Sequence, residues 1–165
     1  MSMPKLPARR PGATPGPRKR FGQHFLEPAW AEKLVAAIAP APSDCFVEVG
    51  PGRGALTAAL ASHAAQVVAI EIDRDLAAGL SRRGLSRTTI IVGDVLKANL
   101  HDLGRRAQYD QPDGRLRLAG NLPFNISSPV LIHILAAQRA GSPFHDATVM
   151  LQREVADRLV AQPGT

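Results

Sequence analysis

Residues Val47–Thr57, VEVGPGRGALT, predict a buried strand, a glycine turn and the first turn of a helix. The apolar, β-branched run that ends at Val49 is typical of a central parallel strand. Gly50, Gly52 and Gly54 follow, and glycines at this spacing permit a tight turn and the close approach of a ligand to the backbone. The residues after Gly54 favour a helix whose free N–H groups point out of the turn. The stretch therefore predicts a nucleotide-type cofactor site at the carboxyl end of a first strand.

Taken alone, this turn leaves several interpretations open. Gly50-x-Gly52-x-x-Ala55 also fits the dinucleotide fingerprint G-x-G-x-x-G/A. A plain strand–turn–helix corner that binds nothing would contain the same residues. A Walker A phosphate loop is excluded because no Gly-Lys-Ser/Thr follows the glycines. The choice depends on the rest of the chain.

Length and composition indicate one globular domain, with 165 residues, 45% hydrophobic and 21% charged. No apolar run approaches the roughly 18 residues that span a membrane. The single cysteine, Cys45, cannot form a disulfide or a cysteine metal site within the chain, which fits a reducing compartment. We expect Cys45 to be a small core residue. The histidines His63, His101, His133 and His145 lack the spacing of metal ligands, so no metal is expected.

The first 20 residues carry six Lys or Arg side chains and no acid, which accounts for the whole net charge of +6. Five prolines in the same stretch disfavour a helix. Residues 1–17 are therefore expected to form a disordered basic tail, suited either to nucleic-acid phosphates or simply to solvent. A secretory signal is excluded because no apolar segment follows the charges, and the prolines disfavour a transit peptide.

Five predicted strands alternate with helices along the rest of the chain. The strands are Phe46–Val49, Gln66–Ile72, Thr89–Val92, Arg115–Ala119 and Ala147–Leu151. A helix precedes them over Pro28–Ala39, with Trp30, Leu34, Ala37 and Ile38 on one face. The later helices run to about Ser62, Arg83, Ala107, Ala140 and Ala161, and Ser127 or Ser128 is the expected cap of the fourth of these. This alternation predicts an α/β fold, a doubly wound, mainly parallel sheet with helices on both faces.

Acidic residues end two of the predicted strands. Glu71 lies 17 residues after Gly54, close to the offset of about 20 at which an acid binds ribose hydroxyls. Asp94 follows the third strand, where its carboxylate is a candidate acceptor for an adenine amine. The alternatives are a solvated acid at position 71 and a turn or cap at position 94.

Asn121-Leu122-Pro123-Phe124, after the fourth strand, fits a site that methylates an adenine amine. The amine nitrogen is a poor nucleophile because its lone pair is delocalised into the ring. Two hydrogen-bond acceptors, Asn121 Oδ1 and the Leu122 carbonyl, would draw it toward a tetrahedral shape. Pro123 would fix the backbone, and Phe124 would stack on the base. No metal or covalent nucleophile is needed. The alternative is a proline turn with an Asn cap.

Six blocks of the chain occur in a familiar order: KRFGQHFL, VEVGPGRGALT, EIDRDL, GDVLK, GNLPFNISSPVL and MLQREVADRLVAQPGT. From about Lys19 to Thr165 the chain resembles the rRNA adenine N6-dimethyltransferase family, of the KsgA/RsmA type. The resemblance implies a Rossmann-like class I S-adenosylmethionine methyltransferase that acts in the cytoplasm. It also implies dimethylation of two adjacent adenosines near the 3′ end of small-subunit (16S) rRNA. The implied partner is this rRNA or a small ribosomal subunit precursor. The resemblance also implies that the protein is a monomer.

The resemblance also implies roles for individual residues. Cofactor contacts fall on His24, Leu26, Gly50, Gly52, Glu71, Asp94 and Asn121. Glu71 would bind the ribose, Asp94 the adenine amine, and the glycine turn the methionine portion. The target adenine would be held by Asn121, Leu122, Pro123 and Phe124. His24 stands where many members have Asn, and Phe124 where many have Tyr; either change preserves a hydrogen-bonding or stacking group.

The family fold has seven strands and a helical C-terminal domain, whereas only five strands are predicted here. We therefore expect residues 18–165 to form an incomplete methyltransferase domain that is weakly active or inactive alone. Three other functions stay open. One is an Erm-type methyltransferase of large-subunit rRNA, the second is a non-catalytic nucleic-acid-binding factor on the same fold, and the third is a nicotinamide oxidoreductase.

Overall fold

The computed structural model describes residues 25–141 and 144–162. The strands are β1 (Cys45–Val49), β2 (Gln66–Glu71), β3 (Thr88–Val92), β4 (Leu116–Asn121) and β5 (Asp146–Met150). The helices are α1 (Pro28–Ile38), α2 (Ala55–Ala61), α3 (Arg74–Arg83), α4 (Leu100–Ala107), α5 (Ser127–Arg139) and α6 (Arg153–Val160). All the predicted elements are confirmed, with their ends shifted by at most two residues. The predicted tail, residues 1–17, lies outside the described residues.

The five strands form one parallel sheet in the order β3-β2-β1-β4-β5. The chain moves outward from β1 in one direction through β2 and β3, then returns to the other side of β1 for β4 and β5. The predicted doubly wound arrangement is thus confirmed. In such a sheet the connections that leave β1 and β4 run to opposite faces, which leaves a crevice for a ligand beyond the carboxyl ends of these two strands.

The sheet separates two apolar cores, because alternate residues of a strand face opposite sides. Cys45, Val47 and Val49 of β1 belong to the core formed with α4 and α5. Phe46 belongs to the core formed with α1 and α2. Cys45 is fully buried, as predicted, and burial together with the adjacent Asp44 charge raises the pKa of its thiol.

The predicted apolar face of α1 is confirmed for Ile38 and Leu34, which belong to or pack against the core, but Trp30 and Ala37 are exposed. Ala31, Val35 and Ile38 are buried, whereas Trp30 is 54% exposed. The Lys33 ammonium lies 4.3 Å from the centroid of the Trp30 ring, a cation–π distance. The helix is rich in alanine, so two neighbouring stripes are about equally apolar in sequence, and only packing against α2 selects between them.

The predicted serine cap of α5 is also wrong. Ile126 occupies the cap position without a side-chain hydrogen bond, and Ser127 is the first helical residue. The Ser127 hydroxyl instead donates to the Phe124 carbonyl oxygen at 3.2 Å. This hydroxyl therefore ties the loop after β4 to the helix that follows it.

Charged residues meet at the amino ends of the central strands. The Asp44 carboxylate accepts two hydrogen bonds from Arg115, at 2.8 and 2.9 Å, and one from Arg117 at 3.1 Å. Arg117 Nε also donates to Asp146 Oδ1 at 2.8 Å. Burial alone would raise the pKa of Asp44, but hydrogen bonds from Arg115, the Ala41 N–H and Arg117 outweigh it and lower the pKa. This network joins β1, β4 and β5 at the edge opposite the crevice.

Candidate functional site

A cleft opens at the carboxyl ends of β1, β2, β3 and β4. All the described residues that the sequence singled out as site residues line it. Those on its wall are Leu26, Gly50, Gly52, Glu71, Asp94, Asn121, Leu122, Pro123 and Phe124. His24 lies outside the described residues, so its predicted cofactor contact stays a prediction. Parallel connectivity brings the rest together, because every strand delivers its last residues to the same edge.

The glycine turn is shaped by left-handed backbone conformations. Gly52 has φ +57° and Gly54 has φ +78°, values that residues with a Cβ rarely adopt. The Gly54 N–H donates to the Pro51 carbonyl at 2.8 Å, and the Gly54 carbonyl accepts from Ala58 at 3.0 Å. The turn thus leads directly into α2, whose first N–H groups face the cleft side of the turn.

Gly54→Ala is expected to lower the free energy of unfolding by roughly 3 kcal/mol, from the cost of the left-handed backbone plus overpacking. A Cβ on residue 54 would stand 2.2 Å from Cδ2 of the buried Leu80. Gly84→Ala is the matched control, since Gly84 has φ +59° but a Cβ added there would meet no atom within 4 Å. It should cost only about 1 kcal/mol. Equal losses in urea titrations of the two variants would contradict the steric argument.

Glu71 connects the glycine turn to the end of β2. Its side chain is buried; Oε2 accepts from the Gly52 N–H at 2.9 Å, and Oε1 accepts from the Asp73 N–H at 3.0 Å. Each carboxylate oxygen retains a second lone pair. The side chain is therefore held rigidly at the cleft wall with acceptor capacity to spare, which is what recognition of a ribose diol requires.

Asp94 performs the capping role that sequence reasoning had kept as an alternative. Its Oδ1 accepts from the Leu96 N–H at 3.0 Å, at the start of the 3₁₀ turn Val95–Lys97. The cap also fixes the orientation of the carboxylate, which is half-buried in the cleft wall. Capping and ligand binding are compatible here, because the cap uses Oδ1 and leaves Oδ2 for a ligand.

The turn after β4 is held by the neighbouring strand. Asn121 is the last residue of β4, and the Leu122 N–H donates to the Met150 carbonyl of β5 at 3.2 Å. The Pro123 carbonyl accepts from Ile126 at 3.1 Å. These bonds fix the backbone on both sides of Leu122, whose side chain is buried. Phe124, by contrast, is 43% exposed at the mouth of the cleft.

Three side chains that sequence reasoning did not assign lie at the glycine turn, and two of them, Phe25 and Arg53, line the cleft. The Arg53 guanidinium lies 4.3 Å from the centroid of the Phe25 ring, and a Cβ on Gly52 would be 3.3 Å from the same ring. Arg83 Nη1 donates to the Arg53 carbonyl at 2.7 Å.

Within residues 25–141 and 144–162, no group of three His, Cys, Asp or Glu side chains is placed to hold a metal ion. His133 Nε2 lies 3.0 Å from the Ala98 carbonyl, so it carries the hydrogen and ties α5 to the turn after Asp94. None of the helices formed by these residues has the length and apolarity needed to cross a membrane.

Known proteins are similar to this chain in sequence and in fold. The family model for ribosomal RNA adenine dimethylase matches residues 16–165. A ribosomal RNA small subunit methyltransferase A from Burkholderia sp is 49% identical over 152 residues, which are 90% of this chain and 52% of the relative. The chain spans about half the length of the curated relatives it matches.

Two solved structures extend the likeness to three dimensions. A dimethyladenosine transferase from Plasmodium falciparum has a TM-score of 0.67 at 27% identity, over 86% of this chain and 48% of that one. The 23S rRNA methyltransferase ErmE has a TM-score of 0.64 at 25% identity, over 82% of this chain and 50% of that one. The Rossmann-like methyltransferase fold expected from the sequence is thereby confirmed.

Proposed function

The chain belongs to the ribosomal RNA adenine dimethylase family, and we propose that it serves S-adenosylmethionine-dependent dimethylation of two adjacent adenosines near the 3′ end of small-subunit rRNA. One observation carries the proposal. Glu71, an acid at the end of β2 that is hydrogen-bonded to the glycine turn, lines the same cleft as the Asn121–Phe124 turn. The first suits an adenosyl donor and the second suits a planar amine as acceptor. The partner is rRNA or a small-subunit precursor in the cytoplasm, and the reaction needs no metal.

The donor half of the cleft suits S-adenosylmethionine, which supplies an electrophilic methyl group on a sulfonium. Glu71 accepts hydrogen bonds from the ribose hydroxyls, and Asp94 accepts one from the adenine amine. The Gly50–Gly54 turn holds the methionine portion, and Leu26 covers the cleft from the N-terminal side. The spare lone pairs of Glu71 and the half-buried Asp94 carboxylate support these assignments.

The acceptor half of the cleft suits an adenine base. Asn121 Oδ1 and the Leu122 carbonyl accept hydrogen bonds from the two N6 hydrogens, which localises the nitrogen lone pair toward the methyl group. The hydrogen bond from Leu122 N–H to Met150 and the rigid Pro123 ring keep that carbonyl in place. Phe124, exposed at the mouth, stacks on the base. Catalysis then rests on positioning and preorganised dipoles.

The proposal is tested in two steps. Isothermal titration calorimetry with S-adenosylhomocysteine and with NAD shows which cofactor the cleft takes. Mass spectrometry of ribosomal RNA incubated with the protein and methyl-labelled S-adenosylmethionine then locates any N6,N6-dimethyladenosine. The expected product lies in small-subunit rRNA. Binding of NAD alone would refute the donor assignment.

Large-subunit rRNA is the second candidate substrate, because ErmE shares the fold at a TM-score of 0.64. The curated relatives at 44–49% identity that are named for the small subunit weigh against it. Incubating separate small- and large-subunit rRNA with the protein distinguishes the two, since label in the large-subunit sample alone would favour the Erm-type reaction.

Glu71→Gln is expected to weaken S-adenosylhomocysteine binding roughly 10- to 100-fold, the worth of one charge-assisted hydrogen bond. An amide offers one acceptor oxygen where the carboxylate offers two, and its NH₂ would face the N–H of Gly52 or Asp73. Calorimetric titration measures the affinity. Glu32→Gln, on the exposed side of α1, is the matched control and should bind as the wild type does. Unchanged affinity in Glu71→Gln would refute the ribose assignment.

A further inference from the structure

Glu48 is a carboxyl group buried on the apolar side of the sheet that faces α1 and α2. It is 1% exposed, and its register partners on the two neighbouring strands are the small residues Ala69 and Ala119. Its Oε2 atom has no hydrogen-bond partner among the described residues. Yet Glu48 lines the same cleft as the glycine turn that begins two residues later. A buried, unpartnered oxygen at a ligand cleft calls for an explanation.

Among the residues that the structure describes, none of the groups that act on Glu48 is a cation. On β2 the nearest ionisable group is Glu71, which is also an acid, and α2 presents only the neutral hydroxyl of Thr57. The residues that α1 buries here, Val35 and Ile38, are apolar. None of the ion pairs formed by the described residues includes Glu48.

Two arginines lie near this side of the sheet, but each is engaged elsewhere. The Arg117 guanidinium lies 5.4 Å from the centroid of the Phe46 ring and is paired with Asp44 and Asp146. The Arg53 guanidinium lies over the Phe25 ring, and both residues line the cleft. Burial therefore raises the pKa of Glu48 to about 8; the nearby Thr57 hydroxyl opposes this shift only in part, and the Glu71 charge adds to it.

We propose that Glu48 is an uncharged carboxyl group in the ligand-free protein and gives its proton to solvent when a donor carrying an α-ammonium group enters, so that donor binding releases a proton. The proposal rests on the proposed function, because it takes the glycine turn to hold the amino-acid end of the donor. The α-ammonium group of the donor supplies the missing counter-ion. The Glu48 carboxylate and this ammonium then form a charged pair in place of the neutral Glu48 carboxyl group. A neutral acid in the ligand-free protein avoids an unpaired buried charge next to Glu71.

Titration calorimetry with S-adenosylhomocysteine near pH 7 tests this directly. Running it in phosphate and in Tris, which differ in ionisation enthalpy, gives the number of protons released. The wild type is expected to release close to one proton per ligand, and Glu48→Gln close to none. Methylthioadenosine, which lacks the amino-acid portion, is the matched ligand and should release none from the wild type. Equal release by wild type and Glu48→Gln, or none by either, overturns the proposal.

A second measurement uses the pH profile of binding. If one proton leaves on binding, S-adenosylhomocysteine affinity rises about tenfold per pH unit below pH 8, because ligand and proton compete. Glu48→Gln should match the wild type near pH 6 and bind more weakly above pH 8, a pattern that a purely structural role would not produce. Failure of the wild type to bind at any pH defeats the proposed function itself. Binding with a flat pH profile defeats only the role of Glu48.

Discussion

Replacing Asn121 by alanine is expected to lower the rate of methyl transfer to rRNA by roughly 10²- to 10³-fold, the usual cost of losing one preorganised polar group at a reacting atom. Asn121 ends β4 at the cleft, and its side chain is one of the two acceptors proposed for the adenine amine. Without Oδ1, only the Leu122 carbonyl would polarise the N–H bonds. The nitrogen lone pair would then stay delocalised into the ring.

The measurement is a single-turnover assay with donor at saturating concentration, followed by mass spectrometry of the rRNA over long incubations. The methyl donor must be saturating because Asn121 is also a predicted contact of that donor. Weaker binding of the donor by the variant would otherwise lower the rate by itself. Asn125→Ala is the matched control: this asparagine lines the same cleft but is exposed, beyond the turn. Equal rates for Asn121→Ala and wild type would contradict the proposed acceptor role and favour a non-catalytic factor.

The fold was predictable because its signals are local. Short β-branched runs and a glycine turn define each strand and its exit, and parallel connectivity then collects the strand ends at one edge. This is why Glu71, Asp94 and Asn121 line one cleft although they are distant in sequence. Their positions followed from strand order alone, without knowledge of any side-chain contact.

The features that sequence reasoning missed are contacts between residues that are far apart in the chain or whose packing depends on a neighbouring element. The face of α1 could not be chosen from an alanine-rich helix, because the choice rests on contacts with α2. The contact of Phe25 with Arg53 joins residues far apart in the chain and has no sequence pattern of its own. Glu48 precedes the turn in β1, but its lack of a cation among the described residues is visible only once the neighbouring strands and α2 are in place.

The Asp44 network is the clearest case of a feature set by register, and a large effect on stability is expected from breaking it. Asp44 precedes β1, whereas Arg115 and Arg117 lie 71 and 73 residues later, and only the parallel pairing of β1 with β4 brings them together. Asp44→Asn is expected to lower the free energy of unfolding by about 3 kcal/mol, since the buried Arg117 loses one of its two charge partners. Asp102→Asn, which breaks the exposed pair with Arg105, should change it by less than about 0.5 kcal/mol.

The pH dependence separates the charge of Asp44 from its shape. The pKa of Asp44 is lowered in the folded protein, so its ionised form stabilises the fold above the unfolded pKa of about 4. That contribution is lost as the pH falls through the folded pKa, because the native carboxylate must then take up a proton. Urea titrations should therefore show the full gap between wild type and Asp44→Asn at pH 7 and a narrowing gap below about pH 4. A gap that stays constant down to about pH 3, well below the unfolded pKa, would mean that the network acts through hydrogen-bond geometry and not through charge.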